Sequence, residues 1–163
     1  MKIVIIAVGK TAAPYISEAV EAYMLRLKHY ISVEWRLVAT GKSNCALSEN
    51  DLRKQEGEAI LKALKPDDFV VLLDDKGKEY TSLTFSKWVG KLQERHRQTV
   101  FVIGGAYGFS REVYSRANSM MSLSRMTFSH QIVRIVLSEQ LYRAMTILKH
   151  EPYHHETTLF FEK

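Results

Sequence analysis

The sequence is poor in cysteine: Cys45 is the only one in 163 residues. A single cysteine cannot close a disulfide within the chain, which excludes a disulfide-stapled scaffold and agrees with a reducing compartment. Long apolar runs are missing too. The run at the amino end, residues 3–8, is far shorter than the roughly 20 residues that cross a bilayer, and too short for a signal-peptide core. We therefore expect a cytoplasmic protein without membrane association.

Acidic side chains are absent from residues 113–138. Over the wider stretch 111–150, six Arg and Lys side chains stand against Glu112 and Glu139, a surplus of four positive charges in a chain whose formal net charge is +5. Guanidinium groups bind phosphate through a planar fork. This distribution is compatible with a nucleic-acid partner and also with a merely solvated basic face.

Strand-like apolar runs alternate with helical patterns along the chain. The predicted strands are residues 2–8, 32–38, 69–74 and 99–104, and the predicted helices are residues 14–29, 82–95, 111–118 and 132–149. Ser48 followed by Asp51 predicts the start of one more helix. The DDKG sequence after the third strand is interpreted as a turn. The alternation predicts an α/β fold, a mostly parallel sheet with helices on both faces and a ligand site at the carboxyl ends of the strands.

Familiar ligand motifs are incomplete. Gly9-Lys10-Thr11 resembles the end of a phosphate-binding loop, but the glycine required five positions earlier is Val4, so we interpret it as a strand-ending turn. Gly104, Gly105 and Gly108 are spaced GGxxG, and the acidic ribose anchor of a dinucleotide site is missing downstream. The histidine pair in EPYHHE lacks convergent partners, so no metal site is expected.

Taken together, FVIGGAYGFS, SLSRMTFSHQIVRIVLSEQLYRAMTILK and EPYHHE closely resemble the RlmH family. This family comprises SPOUT-class methyltransferases that modify N3 of a pseudouridine in large-subunit (23S) ribosomal RNA. The similarity extends to MKIVIIAVGK, KQEGEAIL and LLDDKGK, and so covers nearly the whole chain. The resemblance implies a single domain over residues 1–156, a deep trefoil knot near the carboxyl end and a homodimer.

The resemblance also implies that S-adenosylmethionine is the cofactor. Matched position by position, the cofactor residues are Leu73, Gly104, Gly105, Leu123, Ser124, Arg125, Met126, Thr127 and Phe128. Such a pocket holds its ligand largely with backbone groups, which explains why residues 119–131 are apolar yet rich in serine and fit neither a regular strand nor a helix.

The last helix and the tail are implied to face the RNA. The candidate catalytic residues are His154, which is the preferred proton acceptor, Glu139 and Arg143; the candidate RNA-binding residues are Arg134, Tyr142 and Tyr153. A structural ion pair between Glu139 and Arg143 is an open alternative, because the two are four residues apart on a helix.

One feature departs from the family pattern. The family usually stops near the YHxE segment, whereas this chain continues through residues 157–163 as an extension of unknown role. Two other functions stay open at this point. One is a ribosome-assembly factor that binds RNA without catalysis, and the other is an oxidoreductase with a degenerate dinucleotide fold.

Overall fold

A computed structural model of the protein describes residues 1–39 and 48–155. Strands and helices alternate in it along the chain. The elements are β1 (Lys2–Val8), α1 (Pro14–Leu27), β2 (Ser32–Val38), α2 (Glu49–Ala63), β3 (Phe69–Glu79), α3 (Ser82–Arg95), β4 (Gln98–Ile103), α4 (Arg111–Arg116), β5 (Ser119–Ser122) and α5 (Ile132–Leu148).

The five strands form one sheet in the order β2-β1-β4-β3-β5, and every pair is parallel. The central strands β1 and β4 are apolar on both faces and almost completely buried. Such continuous apolar runs are typical of a parallel sheet that is covered on both sides. The predicted α/β class with a parallel sheet is confirmed.

Helices cover both faces of the sheet. On one face, apolar side chains of α1, α3 and α5 pack against the strands around Phe101. On the other face, α2 and α4 contribute Ile60 and Val113 to a second cluster. The periodicity that predicted these helices therefore reflects burial of one side of each against the sheet.

Helix starts follow local capping chemistry. The hydroxyl of Ser48 accepts a hydrogen bond from the Asp51 backbone N–H at 3.2 Å, as predicted. Thr81 and Thr84 form a reciprocal capping box at the start of α3. Pro14 occupies the first turn of α1, where its missing N–H costs nothing.

The prediction of a turn at DDKG is wrong. These residues belong to β3, which continues to Glu79 instead of ending at Asp74. The extension pairs with β5 after a register irregularity between Leu73 and Lys78. Asp, Lys and Gly favour turns locally, but pairing with a strand more than 40 residues away decides the conformation here.

Some predictions fall outside the described residues. Most of the predicted loop after β2, with Cys45, lies there, and so does the extension 157–163. Within residues 1–39 and 48–155, no helix is both long and apolar enough to cross a membrane.

Candidate active site

A cavity of about 370 Å³ opens at the carboxyl end of β4, beside the middle of β3. Three stretches of chain line it: the middle of β3, the loop after β4, and the chain from the end of β5 to the start of α5. Open parallel sheets bind ligands at this edge, because the loops that follow adjacent strands converge there. The sequence predicted a ligand site where β3 and β4 end; the cavity lies at the end of β4 and at Asp74, beyond which β3 continues to Glu79.

Most of the predicted cofactor residues line this single cavity. They are Leu73, Gly104, Gly105, Leu123, Ser124, Met126, Thr127 and Phe128. The exception is Arg125, whose side chain is 91% exposed and forms an ion pair with Glu79 at 3.1 Å. The fold thus brings together residues up to 55 positions apart (128 − 73), which belong to β3, to the loop after β4 and to the chain after β5.

The glycine loop (residues 104–110) forms one wall and is tightly constrained. Gly108 has a positive φ of 77°, a conformation that other residues rarely adopt. Its backbone N–H donates to Gly105 O at 3.4 Å and closes the loop. A Cβ on Gly104 would lie 3.0 Å from the Phe109 ring. The three glycines therefore serve a compact turn whose backbone faces the cavity.

The serine-rich segment (residues 119–131) forms the opposite wall and is shaped by its own hydroxyl groups. Ser122 Oγ donates to Ser124 O at 2.7 Å, and Ser124 Oγ accepts from the Met126 backbone N–H at 3.0 Å. Such side-chain-to-backbone bonds hold irregular chain in place without a strand or helix. Met126 is nonetheless 77% exposed, so this wall presents apolar surface to the solvent.

The cavity is acidic. Asp74 and Asp75 line it, and no Lys or Arg does among the described residues. Asp74 Oδ2 accepts from the Tyr114 hydroxyl at 2.5 Å. Burial, followed by this contact with Asp74, raises the pKa of Tyr114 to about 12. The tyrosine therefore stays protonated and keeps Asp74 in position at the cavity wall.

His130 also lines the cavity, and sequence reasoning assigned it no role. Burial, together with the nearby Arg134, lowers its pKa below 6.5. It is therefore neutral at physiological pH. The FSHQ sequence around it gave no signal of its own, because the position of His130 depends on how α5 packs beside the cavity.

Arg134 does not fit the predicted role in RNA binding. It is fully buried, and its guanidinium donates to Val8 O at 2.7 Å, Gly9 O at 3.1 Å and the Thr11 hydroxyl at 2.8 Å. With a further bond from Nε to His130 O at 3.3 Å, four of the five N–H donors of this guanidinium are used, and its complete burial keeps it away from an RNA phosphate. The structure gives Arg134 a structural role: it fastens α5 to the turn after β1.

The tail cluster (Glu139, Arg143, Tyr153 and His154) lies where the chain folds back after α5. Glu139 Oε1 accepts from Arg143 Nη2 at 2.6 Å and Nε at 2.9 Å, and from the Tyr153 hydroxyl at 3.2 Å. The predicted pairing of Glu139 with Arg143 is thereby present. Arg143 Nη1 lies 3.4 Å from His154 Nδ1. The candidate catalytic residues are thus in direct contact with one another.

Aromatic rings border the tail cluster. The rings of Tyr142 and Tyr153 are 4.7 Å apart, and the guanidinium of Arg143 lies over Tyr153 at 4.7 Å. Arg26 of α1 approaches Tyr142 at 5.7 Å. Burial raises the pKa of Tyr153, so its hydroxyl is a donor throughout the physiological range. Flat rings beside cations are suited to stacking with unpaired bases.

The tail cluster does not line the cavity of its own chain. Val133 is the last cavity residue on α5, and a helix rises about 1.5 Å per residue, so Arg143 lies about 15 Å further along the axis. The predicted cofactor residues and the candidate catalytic residues are therefore two separate groups within one chain.

Comparisons with known proteins agree with this architecture. Residues 1–154 match the family model described as "Predicted SPOUT methyltransferase". Proteins named "Ribosomal RNA large subunit methyltransferase H" are similar over nearly their full length. The one from Parabacteroides distasonis is 52% identical over 96% of this chain and 100% of its own. The one from Christiangramia forsetii is 48% identical, over 95% and 99%. The chain belongs to the SPOUT methyltransferase family.

Proposed function

We propose that this protein methylates large-subunit ribosomal RNA at N3 of a pseudouridine, with S-adenosylmethionine as the methyl donor. The observation that carries the proposal is the acidic cavity at the strand ends, which the predicted cofactor residues line. The relatives are named as ribosomal RNA methyltransferases, which supports the substrate class.

The charge of the cavity suits this cofactor. S-adenosylmethionine carries a sulfonium and an ammonium group against one carboxylate, and so has a net positive charge. Asp74 and Asp75 favour such a ligand and disfavour the phosphates of a dinucleotide. The backbone of the glycine loop and of the serine-rich segment offers N–H and C=O groups for the adenosine, which replaces the missing acidic ribose anchor.

The reaction requires alignment of the methyl donor with the base more than it requires covalent catalysis. The sulfonium supplies an activated methyl group when the cofactor is bound; the bond from carbon to sulfur breaks, a bond from carbon to N3 forms, and the N3 proton is lost. The cavity walls hold the donor still, and Tyr142 and Tyr153 offer rings that position the base. Fixing two reactants in line removes most of the entropic barrier to such a displacement.

The tail cluster supplies the candidate proton acceptor. A guanidinium can only donate, so Nδ1 of His154 accepts from Arg143, and in the neutral ring the proton resides on Nε2. Nδ1 becomes available as a base when a phosphate of the RNA takes Arg143 away from it. Glu139 is the second candidate, and its carboxylate is occupied by Arg143, Tyr153 and Gln140 in this structure.

A homodimer explains the distance between the two groups of residues. About 15 Å of helix separates the cavity from Arg143 in one chain, so the tail cluster of a second copy completes each cavity. Apolar side chains beside the cavity, among them Met126, Phe128 and Ile132, are exposed and available for such a contact. In this proposal the chain after β4 forms the family's trefoil knot, and the enzyme acts in the bacterial cytoplasm, where ribosomes assemble.

Mass spectrometry of ribosomal RNA tests the function directly. Ribosomes from a strain that lacks this gene are incubated with the protein and S-adenosylmethionine, and the nucleosides are then mapped. We expect one added methyl, on N3 of a pseudouridine. RNA binding without methyl transfer would support an assembly factor instead, and stabilisation by NADPH but not by S-adenosylmethionine would support an oxidoreductase.

The role of His154 can be separated from cofactor binding. In His154→Ala, we expect kcat to fall at least about 100-fold, as for loss of a general base, with the affinity for S-adenosylmethionine unchanged. His155→Ala is the matched control from the adjacent position. Full methyl transfer by His154→Ala would remove His154 from this role.

A further inference from the structure

Glu56 on α2 is a buried acidic residue that the proposed reaction does not use. It is 3% exposed, and its Oε2 atom has no hydrogen-bond partner within residues 1–39 and 48–155. A buried polar atom without a partner costs about 1–3 kcal/mol. A leucine or methionine here would avoid that cost, so the carboxyl group needs an explanation.

The carboxyl group lies directly behind the glycine loop. A Cβ on Gly105 would come within 2.4 Å of Glu56 Oε2 and 2.7 Å of Oε1, so the carboxyl group occupies the space that a side chain at Gly105 would need. Gly105 lines the cavity, whereas Glu56 does not. Glu56 therefore touches the cavity wall from the protein side.

The neighbouring Gly57 holds the other end of the same loop. A Cβ there would lie 2.4 Å from the hydroxyl oxygen of Ser110, the last residue of the glycine loop. Two consecutive residues of α2 thus contact the second and the last residue of the loop. One helix therefore contacts the loop near its beginning and at its end.

Within residues 1–39 and 48–155, no cation forms an ion pair with Glu56. The elements that pack against α2 are α4, β1 and β2. Their charged side chains are Lys2, Glu34, Arg36, Arg111, Glu112 and Arg116. Lys2 and Arg36 pair with Glu34, Arg116 donates to backbone carbonyls, and the other two are exposed. Burial alone raises the pKa of Glu56, which favours the neutral carboxyl group.

We propose that Glu56 is a positioning residue for the methyl-donor site: its carboxyl group fixes the glycine loop, and Oε2 takes a hydrogen bond from the loop backbone when the cofactor is bound. The unpaired buried carboxyl group lowers the stability of the fold, and it keeps the cavity wall in a defined position. Such a trade-off between stability and function is common at functional sites. The inference rests on the proposed function, since it takes the occupant of the cavity to be S-adenosylmethionine.

Replacement of the carboxyl group by an apolar side chain of similar length separates a positioning role from a merely structural one. For Glu56→Met we expect an unchanged or higher midpoint of urea unfolding, because an unpaired buried polar group is removed. We also expect the Kd for S-adenosylmethionine, measured by calorimetry, to rise about tenfold, because one hydrogen bond and the order of the loop are lost. Glu56→Gln should stay within about twofold of the wild type, since an amide retains a neutral acceptor.

Glu58→Met is the matched control, because Glu58 is exposed on the same helix. Hydrogen exchange of the amides of residues 104–110 gives a second readout without cofactor, and it should be faster in Glu56→Met only. Unchanged affinity and unchanged exchange in Glu56→Met, or a parallel loss of stability and affinity, would overturn the inference. If the wild type bound no S-adenosylmethionine, the proposed function would fail, whereas loop exchange would still decide the role of Glu56.

Discussion

At the scale of single residues, the fold depends on a few side chains whose polarity conflicts with their burial. Arg134 and Glu56 are both almost inaccessible to solvent, but their surroundings differ. The guanidinium of Arg134 donates to the end of β1, to the turn after it and to His130 O, whereas Glu56 Oε2 has no partner in the described part of the chain. The burial of Arg134 is explained by its contribution to stability, whereas the burial of Glu56 requires another explanation.

Substitution of Arg134 tests its structural role. Arg134→Gln leaves the carbonyls of Val8 and Gly9 without their donor, so we expect the free energy of unfolding to fall by about 3 kcal/mol. Urea unfolding measures this, with the exposed Arg125→Gln as the control. A phosphate-binding residue would behave differently: its loss would leave stability intact and reduce the salt dependence of RNA binding by about one unit of slope.

Stability should depend on pH through Glu56. Its pKa in the folded protein lies above its ordinary value of 4.5, so between the two values the native state binds more protons than the unfolded state. The free energy of unfolding therefore falls as pH rises through this window, and it levels off above the folded pKa. Glu56→Gln does not titrate and should lack this fall, in urea titrations across pH with Glu58→Gln as the control. Parallel pH profiles for Glu56→Gln and the wild type would contradict a raised pKa.

At the scale of elements, the pairing of β3 with β5 connects the sheet to the wall of the cavity. The second half of β3 pairs with Met121 and Ser122, and the serine-rich segment continues from there. Gly77 permits this approach, since a Cβ at this position would lie 2.5 Å from the Met121 backbone. The main chain of β5 cannot move away without moving the cavity wall.

A side chain at Gly77 should disrupt both the pairing and the site. We expect Gly77→Ala to lower the free energy of unfolding by at least about 2 kcal/mol, the typical cost of overpacking. It should also weaken S-adenosylmethionine binding, because β5 leads directly into the serine-rich segment. Lys76→Ala, at the exposed neighbouring position, is the control for both measurements. Wild-type stability of Gly77→Ala would show that β5 shifts freely.

Sequence patterns predicted the elements that depend on their own residues. The strand β1 was predicted with its observed limits, because a β-branched run of this length is a strand in almost any context. The continuation of β3 through DDKG was missed, because it depends on a partner strand elsewhere in the chain. The part of the cavity wall at residues 123–128 was predicted only from family resemblance, because Ser and Thr next to apolar residues have no distinctive physical pattern. Burial of Glu56 had no sequence signal either.

At the scale of the whole molecule, the separation of cavity and tail cluster is the reason for proposing a dimer. Each chain carries both groups, but α5 holds them apart. A closed two-fold dimer repeats the same contact twice, so it can bring each cavity to the other chain's tail. The dimer would then create the active site in addition to stabilising the chain.

Mixed dimers test this arrangement. One chain carries Thr127→Trp, which fills the cavity, and the other carries Tyr153→Ala with His154→Ala. Each parent homodimer should be inactive, whereas the purified mixed dimer should recover about half of the wild-type activity through one complete site. Methyl transfer to ribosomes measures this. A mixed dimer as inactive as its parents would show that each chain acts alone.

The hydrogen bond between Arg134 and Val8 joins residues that are 126 positions apart. It therefore determines the order in which parts of the structure can form during synthesis. At about 5–20 residues per second, Val8 is synthesised roughly 6–25 s before Arg134. During that interval the carbonyls of Val8 and Gly9 lack their bonds to Arg134, and the cavity is not yet complete. Folding of this enzyme must therefore be completed late, and contacts of such long range make that last step slow.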